Sequence, residues 1–532
     1  MRQDKWSQVL SAHFGYTTFR EGQEEIIRRI MAGRNVLGIL ATGGGKSITY
    51  QLPALLLSGI TVVVSPLISL MIDQVHRLRQ RRTISAAYLN SALDPAETKK
   101  LLAEIERGHY RLLYISPEKL LQPSVLQRLK RRGVALVAID EAHCISQWGH
   151  DFRVDYLRLP DAVKQLGNPP VLAVTATATE HVKNEICRLF SIDTENVIRQ
   201  TINRPNIAFD LIEVSTEAEK TGSLLQAVKS LQGPGIVYCR SRQTVERLTL
   251  SCLESGDGIR AEGYHAGMTP LDRVLVQEQF LAGELDVIFA TNAFGMGIDK
   301  PDIRYVLHYH FPASLEEYAQ EVGRIGRDGQ PGYAGMYLLP EDSAIHQYML
   351  ANEYPPHEET GRFVQLLAAH PERVSSLELA AMAGLPEESL DMLFFYAERM
   401  GLISHLFKTR HEYRYRLNKH AIPTAIASIN ETLDRLKENR QRKLQQMKAW
   451  MKERGCLRQS LAHYFEGRHA MEFTAHCCSH CGIDRSYYER KQLPHADKDE
   501  QPWRLQEALR KLLPSSKSIL SDSAKKEANA FE

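Results

Sequence analysis

The sequence predicts an α/β protein in which helices connect the strands of parallel sheets. Between residue 1 and about residue 345, short apolar runs alternate with helical patterns, as they do in parallel α/β domains. A glycine-rich turn follows one apolar run at residues 41–45, and two carboxylates follow another at residues 140–141. In an open parallel sheet, ligands bind at the carboxyl ends of the strands. These observations together predict an α/β fold with a ligand site along one edge of a sheet.

The length and composition limit the class of protein. A chain of 532 residues should contain three or four domains, and 43% hydrophobic with 24% charged residues is ordinary for a soluble globular protein. The net charge of +2 is small, so any binding of nucleic acid must depend on local patches of charge. The sequence shows no run of the ~18–20 apolar residues that a membrane span needs, and no apolar core of a signal peptide. We therefore expect no membrane association and a cytoplasmic location.

Five strands are predicted in the first domain, which we assign to residues 1–205. They are 36–40, 61–65, 112–115, 134–139 and 171–174. Hydroxyl residues stand at the ends of three of them, namely Ser65, Ser116 and Thr175. Such hydroxyls can contact a nucleic-acid backbone without reading its sequence, and they can equally cap helices.

The turn after the first strand has the composition of a phosphate-binding loop. Its residues are Thr42, Gly43, Gly44, Gly45, Lys46 and Ser47. Glycines allow backbone N–H groups to approach phosphate oxygens, and the N-terminus of the following helix favours the negative charge. In such a loop Lys46 would reach the β- and γ-phosphates, and the Ser47 hydroxyl would bind Mg²⁺. The usual pattern has glycine where this chain has Leu40, so the loop needs a second motif to indicate a nucleotide site.

That second motif is a pair of carboxylates at the end of the fourth strand. Asp140 and Glu141 follow the apolar run 134–139 directly. Hydrolysis of a nucleoside triphosphate requires a second contact to Mg²⁺ and a base that activates water, and two adjacent carboxylates can supply both. The two motifs together predict a nucleoside triphosphatase.

A cluster of polar and aromatic side chains precedes the phosphate loop. Tyr16, Arg20 and Gln23 offer a flat ring, a guanidinium and an amide, which could stack on adenine and bind its edge. Phe14 and Phe19 in the same stretch are expected to be core residues.

The carboxylate motif continues into an aromatic-rich loop, and this combination carries a resemblance to a known family. Asp140-Glu141-Ala142-His143 is followed by Cys144-Ile145-Ser146-Gln147-Trp148-Gly149-His150-Asp151-Phe152-Arg153. The segment resembles the RecQ family of ATP-dependent DNA helicases, and the resemblance extends over about residues 10–345. It implies two tandem RecA-like parallel-sheet motor domains, residues 1–205 and 206–345. They would use ATP and Mg²⁺ to unwind DNA with 3′-to-5′ polarity.

The resemblance also implies roles for individual residues. It makes Tyr16, Arg20 and Gln23 the adenine site, and it makes Trp148, Phe152 and Arg153 the element that couples DNA to the nucleotide site. Trp148 and Phe152 could equally be core residues. The implied catalytic set is Lys46, Asp140, Glu141, His143, Gln320, Arg324 and Arg327, and Gly297 and Asp299 join the nucleotide-binding residues.

The segment Arg204-Pro205-Asn206 breaks the pattern and is predicted to open the link to the second motor domain, residues 206–345. Further along, Arg324 and Arg327 stand three residues apart beside small glycines, and such arginines can reach a γ-phosphate from across a cleft. A phosphate site divided between two domains closes when nucleotide binds, so hydrolysis becomes relative motion. The resemblance makes Arg327 the arginine finger and Arg324 its partner. Ile325 stands where the family usually has alanine.

Residues 346–422 are predicted to form a winged-helix-like domain. Apolar residues recur along one face of a helix at Leu390, Leu393, Phe394, Ala397 and Met400, and segments 401–407 and 413–417 look like two antiparallel strands. The helix also carries acidic residues and suits a DNA groove poorly. The second strand, with Arg414 and Arg416 on one face, is the better DNA candidate. Packing of this domain against protein is the alternative.

Residues 423–486 are predicted to form a basic helical hairpin that leads into Cys456, followed by a zinc-binding segment. Cys456, Cys477, Cys478 and Cys481 are enough for a closed tetrahedral Zn²⁺ site, which we expect to be structural. Asp484, His476 or His480 could replace Cys477, and a cluster of free cysteines is the alternative to zinc. Residues 487–532 are predicted to contain one helix, 503–513, and a disordered tail.

Three functions compete at this stage. The first is a DNA helicase of recombination, repair or replication that uses ATP, Mg²⁺ and Zn²⁺ and binds single-stranded and duplex DNA. The second is an RNA helicase or a duplex translocase that does not unwind. The third is a DNA-binding module that has lost the chemistry, and the presence of Lys46, Asp140, Glu141 and Arg327 argues against it. We expect a monomer, associated with the nucleoid, whose partners include a single-stranded-DNA-binding protein or other repair proteins.

Overall fold

The computed structural model describes residues 2–81, 83–90, 93–146, 153–295, 298, 300–370, 372–409, 412–467 and 477–490. Several expectations concern residues outside these ranges, namely Trp148, Phe152, Gly297, Asp299, His476, the helix 503–513 and the tail after it. Among the described residues, no helix combines the length and the apolar character that crossing a membrane would require.

The first motor domain is built on a seven-stranded parallel sheet. Its strands are β1 (Val36–Ile39), β2 (Ile60–Val64), β3 (Ala86–Leu89), β4 (Leu112–Ile115), β5 (Val134–Ile139), β6 (Val171–Thr175) and β7 (Val197–Arg199), in the order β3-β4-β2-β5-β6-β1-β7. The helices around it are α1 (Arg2–Phe14), α2 (Gln23–Met31), α3 (Ile48–Leu56), α4 (Ile68–Gln80), α5 (Pro95–Glu106), α6 (Pro117–Leu120), α7 (Pro123–Arg132), α8 (Leu159–Gln165) and α9 (Glu180–Phe190). The five predicted strands are confirmed. β3 and β7 are not among the predicted strands, because they have only four and three residues and so give weak periodic signals.

The second motor domain is built on a six-stranded parallel sheet. Its strands are β8 (Ile207–Glu213), β9 (Gly235–Tyr238), β10 (Ala261–Tyr264), β11 (Val287–Ala290), β12 (Tyr305–His308) and β13 (Gly332–Leu338), in the order β10-β11-β9-β12-β13-β8. Its helices are α10 (Glu217–Ser230), α11 (Arg242–Glu254), α12 (Pro270–Ala282), α13 (Leu315–Val322) and α14 (Asp342–Glu353). The two parallel sheets confirm the predicted fold class of two RecA-like domains.

A small antiparallel sheet with three helices follows. Its elements are α15 (His357–Ala369), β14 (Arg373–Ser375), α16 (Ser376–Ala383), α17 (Glu387–Arg399), β15 (Ile403–Lys408) and β16 (Glu412–Leu417). The predicted apolar face of α17 is confirmed, since Leu390, Leu393, Phe394 and Ala397 are buried in the core of this domain. β15 and β16 pair antiparallel as predicted, and β14 adds a third strand.

Helix α17 packs against the first motor domain. Arg158 donates a hydrogen bond to Glu398 at 2.6 Å, and its guanidinium lies over the ring of Phe395. Val154 and Leu157 of the first domain pack on the core of the winged-helix-like domain. The C-terminal half of this helix is therefore covered by the first motor domain, whereas Glu387 and Asp391 nearer its start are exposed.

The segment before the cysteines differs from the predicted hairpin. Residues 422–451 form one continuous helix, α18 (Ile422–Met451), and the hairpin is made by α18 together with α19 (Leu457–Glu466) on the far side of Cys456. The first half of α18 packs in the winged-helix-like core, and the second half packs on the second motor domain. One of its basic residues, Lys443, takes part in this packing through an ion pair with Glu316 at 2.9 Å. The predicted domain limits at 345/346 and 422/423 thus lie within α14 and at the start of α18.

Candidate nucleotide-binding cleft and cysteine cluster

A cleft between the two motor domains collects most of the predicted nucleotide-site residues. The first domain contributes Tyr16, Arg20, Gln23, Thr42, Gly43, Gly45, Lys46, Ser47, Asp140 and Glu141. The second domain contributes Ile298, Gln320, Arg324 and Arg327. These residues come from the segment that leads into α2, from the ends of β1 and β5, from the segment after β11, and from α13 and the turn after it. The sequence separates them by up to 311 positions (Tyr16 to Arg327).

The phosphate loop begins where β1 ends and leads into α3. Gly43 and Gly45 have φ angles of +82° and +76°, which other residues rarely adopt. Leu40, which departs from the usual pattern, is fully buried in the core beneath the loop. Apolar packing thus occupies position 40, and the glycines needed for the turn follow it.

The predicted adenine-site residues are hydrogen-bonded to the phosphate loop. Gln23 Nε2 donates to the carbonyl oxygens of Gly44 and Gly45 at 3.1 and 2.9 Å, and Arg20 Nη1 donates to that of Gly43. Gln23 is buried, whereas the ring of Tyr16 is 46% exposed at the mouth of the cleft. Arg20 and Gln23, predicted to bind adenine, are therefore directly connected to the phosphate loop.

The two carboxylates lie beside the loop lysine. Lys46 Nζ donates to Glu141 Oε1 at 3.1 Å, and Glu141 adopts a left-handed backbone with φ +48°. Burial raises the pKa of Asp140 to about 6, while Lys46 lowers it and Glu141 raises it. Glu141 Oε2 is buried and has no hydrogen-bond donor among the described residues, although His143 Nδ1 is 3.5 Å away.

His143 connects the carboxylates to β6. Its Nδ1 lies 2.9 Å from Thr175 Oγ1, and Thr175 donates to the carbonyl of Thr177 at 3.1 Å. Thr175, Ser65 and Ser116 are all buried. The structure therefore does not support the predicted contact of these hydroxyls with a nucleic-acid backbone. Sequence reasoning identified Thr175 as a strand-end hydroxyl but missed its contact with His143.

Two arginines approach from the second domain. A Cβ atom added to Gly43 would lie 2.8 Å from Arg327 Cγ, so the Arg327 side chain lies directly on the phosphate loop. Arg324 is 3% exposed, and its Nε has no hydrogen-bond partner among the described residues. Ile325 is fully buried in the core of the second domain, where it packs over Gly332. Its bulk therefore points away from the cleft.

Arg204 is a residue of this cleft that sequence reasoning did not assign. Its Nη1 donates to the carbonyl oxygens of Thr42 and Gly323 at 3.4 and 3.2 Å. Its Nη2 donates to those of Ile325 and Gly326, each at 2.8 Å. One guanidinium thus joins the phosphate loop to the segment that carries Arg324 and Arg327. The only signal in the sequence was its place in the segment that links the two predicted domains.

The four clustered cysteines meet in one place. The sulfurs of Cys456, Cys477, Cys478 and Cys481 all lie within 4.8 Å of one another, with Cys456 and Cys477 3.5 Å apart. A tetrahedral Zn²⁺ with Zn–S bonds of ~2.3 Å places its sulfurs ~3.8 Å apart, so the cluster fits the ion. His480 Nδ1 lies 2.9 Å from the carbonyl of Gly455, and Asp484 accepts from the backbone of Ser486.

Two protein families match the motor domains. The family described as DEAD/DEAH box helicase matches residues 20–185, and the family described as helicase conserved C-terminal domain matches residues 219–329.

Related proteins extend the similarity. The probable ATP-dependent DNA helicase RecS of Bacillus subtilis is 40% identical over 492 residues, which are 92% of this chain and 94% of RecS. The ATP-dependent DNA helicase RecQ of Pasteurella multocida is 42% identical over 352 residues, which are 66% of this chain and 55% of that protein. The similarity to RecS therefore continues beyond the two motor domains.

Solved structures show the same fold at low sequence identity. The helicase Lhr of Mycobacterium smegmatis, bound to single-stranded DNA and AMP-PNP, has a TM-score of 0.54 at 18% identity, over 80% of this chain and 62% of Lhr. The helicase MrfA bound to DNA has a TM-score of 0.54 at 17% identity, over 79% of this chain and 60% of MrfA. At such identities the likeness concerns the fold alone.

Proposed function

The chain belongs to the RecQ family of ATP-dependent DNA helicases, and on that premise we propose that it unwinds duplex DNA with 3′-to-5′ polarity in recombination or repair. The observation that supports this most directly is the cleft, where Lys46 and Glu141 of one motor domain face Arg327 of the other across the phosphate loop. A cytoplasmic, nucleoid-associated location follows from a DNA substrate and stays a prediction.

In the first domain, the proposed roles follow from charge and position. Lys46 holds the β- and γ-phosphates, and Glu141 accepts a proton from the attacking water, for which its buried Oε2 is available. Ser47 and Asp140 would hold Mg²⁺, and their hard oxygen atoms in the same cleft suit that ion. When bound, the ion neutralises phosphate charge. His143 keeps Glu141 oriented through its contact with Thr175.

In the second domain, the arginines stabilise charge that develops on the γ-phosphate. Arg327 reaches the phosphate loop. Arg324 also lines the cleft, and its buried Nε has no hydrogen-bond partner among the described residues. Because the site is complete only when both domains meet, hydrolysis alters their contact and drives movement along DNA.

A series of hydrogen bonds connects the end of the aromatic-rich loop with the nucleotide site. It supports the proposal that this loop couples DNA binding to ATP hydrolysis. Arg153, the last residue of that loop, donates to the carbonyl of Pro66 at 3.1 Å. Its own carbonyl accepts from the backbone N–H of Tyr156, whose hydroxyl donates to the carbonyl of Asp140 at 3.1 Å. DNA that displaces this loop would thus shift Asp140, a proposed Mg²⁺ ligand.

Strand displacement on DNA and RNA duplexes with single-stranded tails of either polarity tests the proposal. We expect ATP-dependent displacement of DNA that carries a 3′ tail, and none with Glu141→Gln. Displacement of RNA instead, or of 5′-tailed DNA, would contradict the substrate or the polarity. DNA-stimulated ATP hydrolysis without displacement would indicate a translocase.

We propose that the cysteine cluster holds one structural Zn²⁺. Elemental analysis of freshly purified protein should give about one zinc per chain, because four thiolates close a tetrahedral site. Cys481→Ser should lose the zinc and lower the melting temperature by on the order of 10 °C, since structural zinc contributes folding energy. Cys187→Ser, outside the cluster, is the control and should change neither. Protein without zinc, or a zinc-replete Cys481→Ser variant, would rule out this site.

We propose that the wing, defined as strands β14, β15 and β16, contacts duplex DNA. Arg414 and Arg416 are exposed on one face, and Tyr413 and Tyr415 are buried on the other. Arg373 lies directly opposite Arg414, so three arginines share the exposed face. Phe407, 49% exposed and also paired with Arg414, adds an aromatic ring.

Replacing Arg414 and Arg416 together with alanine should weaken duplex binding. Each lost phosphate contact should make the slope of log K against log salt shallower by about 0.7–0.9, so the double variant should lose one to two units of slope. ATPase activity on single-stranded DNA should change little, because that substrate lies across the motor domains. The control is Lys130→Ala with Arg131→Ala, which removes two exposed charges from α7. Equal slopes and affinities for wild type and the wing variant would mean that the wing packs against protein and does not contact DNA.

A further inference from the structure

Both ends of helix α19 are hydrogen-bonded to the interdomain linker, which we define as residues 200–206. At the last turn of the helix, Glu466 accepts hydrogen bonds from the backbone N–H of Ile202 and from Thr201 Oγ1, the latter at 3.1 Å. At the first turn, Arg458 donates to Asn203 Oδ1 at 3.2 Å and to the carbonyl of Arg204. The linker that must transmit motion between the motor domains is therefore fixed to a helix outside both sheets.

Arg458 also joins the linker to the cysteine cluster. It is 4% exposed, its Nε donates to Cys477 Sγ at 3.1 Å, and its guanidinium lies 5.0 Å from the ring centroid of Phe209. Its Nη2 donates to the carbonyl of Ile207, the first residue of β8. Among the described residues that accept its hydrogen bonds, Cys477 has the only side chain that can carry negative charge. Because zinc bound by four thiolates is net negative, an occupied cluster would stabilise this buried cation.

The other side of the linker carries Arg204, which reaches into the cleft. Its guanidinium binds the carbonyls of Gly323, Ile325 and Gly326, which surround Arg324 and precede Arg327. Asn206 adds a hydrogen bond to Gly326 at 3.0 Å. The backbone carbonyl of Arg204 is held by Arg458, so the position of α19 sets the position of the arginine segment.

We propose that Arg458 and Glu466 are positioning residues for ATP hydrolysis. They hold the linker so that Arg204 presents Arg324 and Arg327 to the phosphate loop, and neither touches nucleotide. This rests on the proposed function only in that the cleft hydrolyses ATP. Misplacement of a catalytic group by a small distance lowers turnover strongly while the binding of substrate by other groups persists.

Steady-state ATP hydrolysis and zinc content of Glu466→Ala, which removes the acceptor of the linker hydrogen bonds, and of Arg458→Lys test the proposal. Both variants should keep one zinc per chain and bind a fluorescent ATP analogue within about twofold of wild type, and kcat should fall at least about fivefold. Glu466 lies at the opposite end of α19 from the cysteines, so its variant keeps the test valid if Arg458→Lys folds poorly. Glu453→Ala, at an exposed position after α18, is the matched control and should behave as wild type.

A double-variant comparison separates positioning from general destabilisation. In an Arg204→Met background, Glu466→Ala should lower kcat no further, because the path from the linker to the arginine segment is already broken. Zinc-replete, folded Glu466→Ala and Arg458→Lys with kcat within twofold of wild type would overturn the proposal, and so would additive losses in the double variant. Wild-type protein that hydrolyses ATP but does not unwind DNA would contradict the proposed function alone.

Discussion

Glu141→Gln is expected to lower ATP turnover at least about 100-fold while ATP still binds, since a positioned base contributes about 10²–10⁴ to the rate. Glutamine keeps the shape of the side chain and can still accept from Lys46 Nζ, which lies 3.1 Å from Oε1. It cannot take a proton from water at neutral pH. The chemical step should therefore fail without loss of the phosphate contacts.

Turnover with saturating DNA and titration with a fluorescent ATP analogue measure the two halves of this prediction. Glu195→Gln, an exposed glutamate before β7, is the control and should retain full activity. Lys46→Ala should also stop turnover, but it should weaken nucleotide binding as well, because it removes a phosphate contact. Residual turnover above a tenth of wild type in Glu141→Gln would count against its role as the base.

Arg327→Ala is expected to lower kcat by about 10³, the low end of the effect of losing an arginine finger. The side chain lies against Gly43 of the phosphate loop, and its Nη1 donates to the carbonyl of Ile298 at 2.7 Å. Arg327→Lys should restore little of the rate, because an ammonium cannot offer the planar set of donors of a guanidinium. The binding of ATP should change less than turnover, since Lys46 and the loop remain.

Single-turnover hydrolysis at saturating ATP measures the chemical step directly for this variant. Arg260→Ala is the control, because Arg260 forms an exposed ion pair with Asp286 at the opposite ends of the strands from the cleft. A fall in rate of less than tenfold for Arg327→Ala, with the protein folded, would show that another group stabilises the γ-phosphate charge.

The sequence by itself determined the features that depend on local patterns. Apolar runs located the predicted strands of the first motor domain, and the alternation in 413–417 put Arg414 and Arg416 on one face and the two tyrosines on the other. The loop from Thr42 to Ser47 and the four cysteines were also recognisable, because their chemistry needs particular residue types at close spacing. Such patterns are visible in the sequence because the geometry of a strand or a turn involves only a few consecutive residues.

The tertiary structure alone decided which distant groups meet. Arg204 binds Ile325, 121 positions away, and Arg458 binds the carbonyl of Arg204, 254 positions away. Neither contact has a periodic signal, because each depends on how sheets and helices from separate domains pack together. The same holds for α17. Its acidic residues indicated that it would fit a DNA groove poorly, but the sequence could not show that Arg158 and Glu398 join it to the first motor domain. Local sequence specifies what a segment can form, and the packing of whole elements specifies what it touches.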